Sequence, residues 1–79
     1  MKPHRPLRAA IVGAGMIGSV HTAAARSAGA EVIGVLASNP ERSRTAAAAM
    51  RIPRGYASIE DVLADVPDIV HICTPNDTH

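Results

Sequence analysis

Tryptophan and phenylalanine are absent, and Tyr56 is the only aromatic residue among 79. A core built on aromatic rings is therefore excluded. So is a surface of basic residues interleaved with aromatics, the usual footprint of nucleic-acid binding. Cysteine occurs once, at Cys73, so no internal disulfide forms and a reducing, cytoplasmic compartment is expected. Charge of one sign is also missing: the net charge of +1 gives no strong pull on a polyanion. Arg8 and the glycines after it interrupt the first apolar run, and no apolar segment follows the basic start Met1-Lys2-Pro3-His4-Arg5. Neither a signal peptide nor a membrane span is expected.

Forty-seven per cent of the residues are hydrophobic, which marks a globular chain, but much of that share is alanine. A chain of this size buries only about 60% of its unfolded surface. The core is thin, and some faces are expected to be covered by further chain or a partner. Arg42, Arg44, Arg51 and Arg54 crowd the middle, while Glu60, Asp61, Asp65, Asp68 and Asp77 fill the last third. Solvated helix faces account for most of these.

The most informative stretch is Ala9-Ala10-Ile11-Val12-Gly13-Ala14-Gly15-Met16-Ile17-Gly18. It reads as a buried strand, a glycine turn and the start of a helix. In this pattern Gly13 allows the tight turn. Gly15 leaves room for a pyrophosphate to approach the backbone, and Gly18 lets the helix pack closely on its strand. The helix start adds unpaired N–H groups and the positive end of a dipole. Gly13, Gly15, Met16, Ile17 and Gly18 are thus candidate cofactor-binding residues. By itself a G-x-G-x-x-G is weak evidence; its place between a strand-like and a helix-like run is what points to a dinucleotide.

Residues 1–6 read as a loose arm, and 7–79 as the N-terminal portion of a nucleotide-binding domain. Leu7–Val12 is apolar on both faces after Arg8, as a parallel strand covered on both sides should be. A helix follows from about Met16 to Ala28, with Ile17, Val20, Ala24 and Ala28 as its apolar side and Gly29 as its stop. His21 on this helix is read as packed or capped rather than catalytic. Glu31–Ala37 is the second strand. Asn39 caps the next helix, Pro40 suits its first position, and it runs through the alanines to about Met50. Residues 52–56 hold a short third strand. Ser58-Ile59-Glu60-Asp61 opens a short helix with Val62, Leu63 and Val66 as its apolar side, closed by Pro67. Asp68–Cys73 is the fourth main strand, and Thr74-Pro75-Asn76-Asp77 the turn after it.

Strands alternating with helices imply an α/β fold: a Rossmann-type doubly wound parallel sheet, here partial, with strand order 3-2-1-4. The first and fourth strands are then neighbours whose connections leave in opposite directions, and ligands bind at that switch point. The glycine turn and the Thr74–Asn76 turn are expected to face one cleft.

An NAD site usually places Asp or Glu at the end of the second strand, roughly 20 residues beyond the glycines, for the adenosine ribose. This chain has Ala37 there, followed by Ser38 and Asn39. No acid stands at the strand end to repel a 2′-phosphate, Ser38 and Asn39 can donate to one, and Arg42 lies within reach with Arg44 as a weaker candidate. NADP is therefore favoured over NAD.

These residues resemble the start of the glucose–fructose oxidoreductase / inositol dehydrogenase (Gfo/Idh/MocA) family. The likeness rests on Ile11–Gly18 followed by His21, on Ser38-Asn39-Pro40-Glu41-Arg42 and on Ser58–Leu63. Its most specific part is Asp68-Ile69-Val70-His71-Ile72-Cys73-Thr74-Pro75-Asn76-Asp77-Thr78-His79. The resemblance implies hydride transfer between nicotinamide and a hydroxyl carbon of a sugar, a cyclitol or a related compound. It implies that Thr74, Pro75 and Asn76 line the nicotinamide half of the site and that His79 opens a helix close by. It further implies a Glu-Lys-Pro motif with a catalytic lysine, then a substrate-binding α/β domain. The only lysine here is Lys2, so this stretch is expected to be a cofactor-binding fragment without a catalytic residue, inactive by itself. The full-length protein is expected to act on a small molecule and to assemble with copies of itself. A non-catalytic dinucleotide-sensing or interaction domain is the alternative.

His71, His79, Cys73 and Asp77 have no zinc-like spacing, so no metal is expected. Cys73 is placed inside the sheet, which argues against a nucleophile.

Overall fold

The computed structural model describes residues 6–13 and 15–73, apart from the side chains of Met16 and Ile17. The candidates Thr74, Pro75, Asn76 and His79 lie outside the described residues, as do Ala14 and arm residues 1–5. The elements are β1 (Arg8–Val12), α1 (Gly15–Ser27), β2 (Glu31–Leu36), α2 (Pro40–Met50), β3 (Arg54–Tyr56), α3 (Ile59–Ala64) and β4 (Ile69–Ile72). The sheet has the order β3-β2-β1-β4, and every pairing in it is parallel. This is a partial Rossmann-type α/β fold with the expected topology.

The pairing of β1 with β2 skips Ile33: Ala9 faces Val32 and Ala10 faces Gly34. That irregularity puts Val32 and Val35, three residues apart, on one face. They join Ile11, Ala25, Ala47, Ile52 and Cys73 in the cluster beneath α1 and α2. The opposite face is smaller, with Ala10, Tyr56 and Val62 buried together and Leu36 packed against them. The Tyr56 ring lies against Gly34, where an added Cβ would stand 2.2 Å from it. The one aromatic residue of the chain thus fills the space left by a missing side chain.

Two faces differ from the sequence expectation. Among the described residues the buried side of α1 is Gly18, Thr22 and Ala25, whereas Val20 is 61% exposed and Ala24 and Ala28 are exposed along a hollow beside β4. Gly18 decides this rotation. A Cβ at Gly18 would stand 2.8 Å from the Gly13 carbonyl oxygen, so the bare side of the helix is turned onto the strand end. Thr22, one turn on, is buried without penalty because its hydroxyl donates to the Gly18 carbonyl at 2.8 Å. In α3 only Val62 is buried, with Leu63 63% and Val66 72% exposed. This six-residue helix ends at Ala64, before Pro67 is reached, and Val66 takes a left-handed φ of 49°.

The ends are tied by side chains. Asn39 accepts from Arg42 N–H at 2.8 Å and Ser58 from Asp61 N–H at 3.3 Å, the N-caps of α2 and α3. Arg26 donates to the Met50 and Arg51 carbonyls, both at 2.8 Å, so the end of α1 answers the negative end of α2. Arg8 donates to the Asp65 and Val66 carbonyls at 3.0 Å and lies 3.7 Å from the Asp65 carboxylate. Asp65 also accepts from Arg54 at 3.0 Å and from the Tyr56 hydroxyl at 2.7 Å. Among the described residues no helix is long and apolar enough to cross a membrane.

Candidate cofactor site

The site begins where β1 ends. Gly13 has φ 111° and donates its N–H to the Leu36 carbonyl at 2.7 Å, which holds the turn against the end of β2. Gly15 has φ 80° and opens α1, and beyond its chain neighbours no described residue lies within 4 Å of where its Cβ would be. Gly15 and Gly18 therefore differ in kind. Gly18 is needed because protein is too close; Gly15 has a left-handed backbone and open space beside it. An acceptor outside the protein would find the first amides of α1 there. No acidic residue occupies the first turn of α1, so the helix itself supplies no charge against the positive end of its dipole.

The second wall is the exit from β2. Ala37 is half-buried, Ser38 is exposed, and the next residue caps α2. Asn39 caps through its carboxamide oxygen, which leaves its two N–H donors for something else. Arg42 is exposed one turn into α2, and Asn39 and Arg42 border a shallow open groove of about 510 Å³ that also includes Glu41 and Thr45. Arg44 is exposed as well, but it does not line this groove.

The third wall comes from β4. Val12 pairs with Ile72, and Cys73 donates its N–H to the Val12 carbonyl at 2.7 Å. The chain thus leaves β4 level with the glycine turn, from the neighbouring strand. Cys73 is 2% exposed, and burial pushes its thiol pKa up, which disfavours the thiolate.

One contact escaped the sequence reading. His21 on α1 and His71 on β4 meet with their Nδ1 atoms 3.5 Å apart and their rings edge to face. They are fifty residues apart in sequence. The available signal was that a right-handed β1–α1–β2 crossover lays α1 on the face of β4 that carries His71 and Cys73. Among the described residues, no three His, Cys, Asp or Glu side chains gather as a metal site. An apolar hollow of about 290 Å³ lies at the other end of the sheet, between Leu7, Ala28 and Ile69, away from the glycine turn.

The model of the oxidoreductase family with an NAD-binding Rossmann fold, Gfo/Idh/MocA, matches residues 7–79. This chain belongs to that family. Two solved structures of UDP-N-acetylglucosamine 3-dehydrogenase GnnA from Acidithiobacillus ferrooxidans, in different crystal forms, are similar to this Gfo/Idh/MocA member. Each is 33% identical, with a TM-score of 0.73 over 96% of this chain. The chain spans 24% of the length of those dehydrogenases. No curated protein matches the sequence. The family and the fold together make this a domain for a nicotinamide dinucleotide, and the residues present fit one: a backbone cradle at Gly15, a bare helix start and donors at the end of β2.

Proposed function

We propose that this chain is the dinucleotide-binding portion of an oxidoreductase. It would pass a hydride between NADP, in preference to NAD, and a hydroxyl or carbonyl carbon of a sugar, a cyclitol or a related compound. The observation that carries the reading is Gly15: a left-handed backbone at the start of a helix with no acidic residue in its first turn and, beyond its chain neighbours, no described residue within 4 Å of its missing side chain. The nicotinamide supplies the hydride chemistry when bound. The chain's own residues bind and orient. Gly13, Gly15, Met16, Ile17 and Gly18 take the diphosphate, and Ser38, Asn39 and Arg42 take the ribose 2′-phosphate. Thr74, Pro75, Asn76 and His79 are proposed for the nicotinamide half. The sugar-like substrate class draws support from the family resemblance and from the name of the similar dehydrogenase, which acts on a sugar nucleotide.

Titration with NADPH and NADH tests this, read by the fluorescence of the reduced nicotinamide because the chain contains no tryptophan. Binding of both, NADPH the tighter, is expected, with loss of both in Gly15→Val. Binding of neither dinucleotide at millimolar concentration would overturn the proposal.

A further inference from the structure

Ser43 is a fully buried polar residue on α2, and its hydroxyl accepts from the Ala37 N–H at 2.7 Å. A helical serine commonly turns its hydroxyl back to a carbonyl of its own helix. Here the oxygen reaches the residue that leaves β2. The Ser43 N–H meanwhile donates to the Asn39 carbonyl at 3.0 Å. Two bonds to one residue therefore bracket the segment Ala37-Ser38-Asn39. Asn39 is fixed a second time, through its cap on Arg42.

Ser43 is itself held from behind. A Cβ at Gly55 would stand 2.6 Å from the Ser43 carbonyl carbon and oxygen, so α2 rests directly on β3 at this point. The chain of contacts runs from the sheet, through Gly55, to Ser43 and then to the turn that carries Ser38 and Asn39.

We propose that Ser43 is a positioning residue for dinucleotide selectivity. It fixes the distance between the donors on Ser38 and Asn39 and the guanidinium of Arg42, so that all three meet a ribose 2′-phosphate together. This rests on the cofactor reading above. Alanine at 43 leaves the Asn39 cap on Arg42 in place, so α2 still starts where it did, but the Ala37 N–H loses its partner and the turn is released.

The test compares Kd for NADPH and NADH in the wild-type chain, in Ser43→Ala and in Ala47→Gly. The last weakens α2 at a buried position one turn further on, away from the turn. For Ser43→Ala the Kd for NADPH is expected to rise about three- to tenfold, the loss that one hydrogen bond represents, with NADH changed less than about twofold. Ala47→Gly is expected to lower the melting temperature and leave the ratio of the two constants alone. Ser43→Thr, which keeps the hydroxyl, should restore most of the ratio. An unmoved ratio in folded Ser43→Ala, or an equal shift in Ala47→Gly, would overturn the role of Ser43 alone. If wild type binds neither dinucleotide, the cofactor reading falls and this role falls with it. Amide exchange gives a readout that does not depend on the variants folding: Ala37 N–H should be protected in wild type, and exchange as fast as at an open turn would also overturn the proposal.

Discussion

Arg42 and Glu41 are adjacent, exposed and opposite in sign, in the first turn of α2. If a 2′-phosphate sits at this helix start, the two side chains act on it in opposite directions. Arg42→Ala should weaken NADPH by about tenfold, as loss of a hydrogen bond to a charged group does, and barely change NADH. Glu41→Gln should tighten NADPH by a smaller factor. Competitive titration measures both, and equal losses of NADPH and NADH in Arg42→Ala would remove the charge argument. Tyr56 makes a prediction of another kind. Burial, then its hydrogen bond to the Asp65 carboxylate, raises the pKa of its phenol above the ordinary value. A raised pKa means that the folded state holds the proton more tightly than the unfolded state does. The stability it contributes is complete below the ordinary tyrosine range, near pH 10, and is lost as pH rises beyond it. Denaturant midpoints should therefore fall progressively as pH rises above about 10, and Tyr56→Phe should flatten that fall.

At the scale of elements, three close approaches set the geometry: α1 on the end of β1 at Gly18, Tyr56 on β2 at Gly34, and α2 on β3 at Gly55. Backbone meets backbone at the first and third, so neither neighbour can swing aside as a flexible side chain would. Gly55→Ala should cost about 1–3 kcal/mol, the usual range for overpacking. In a domain of this size each kcal/mol lowers the melting temperature by about 4–8 °C, which calorimetry would register. Because the strain falls on Ser43, NADPH selectivity should decline with stability in this variant. The Arg8–Asp65–Arg54 group works at the other end of the strands, where it closes the α3–β4 connection onto the start of β1.

The whole molecule is a sheet covered well on one face and thinly on the other. Beneath α1 and α2 the buried cluster draws on β1, β2 and the end of β4, whereas on the α3 side Val70 and Ile72 of β4 stand 37% and 63% exposed. A marginal core makes the fold responsive to ligand. A dinucleotide that binds only the folded chain adds about 2.7 kcal/mol at a hundred times its Kd. Saturating NADPH should accordingly raise the unfolding midpoint, NADH should do so at higher concentration, and Gly15→Val should abolish both shifts. Thermal melts at graded dinucleotide concentrations measure this.

Local chemistry fixed the order of strands and helices, the caps at Asn39 and Ser58, and the parallel topology. Each follows from spacing within a few residues or from the handedness of one crossover. The glycine spacing likewise announced the tight turn from β1 into α1, because a positive φ or a missing Cβ is demanded at single positions. The rotation of α1 was legible only at Gly18, whose close packing on the strand was expected, because Val20, Ala24 and Ala28 make a competing apolar stripe. Only contact with the Gly13 carbonyl chooses between them. The meeting of His21 with His71, the seat of Tyr56 on Gly34 and the bond from Ala37 to Ser43 were decided by packing. Each depends on how far apart two elements settle, and that distance is a property of the assembled sheet rather than of any one segment.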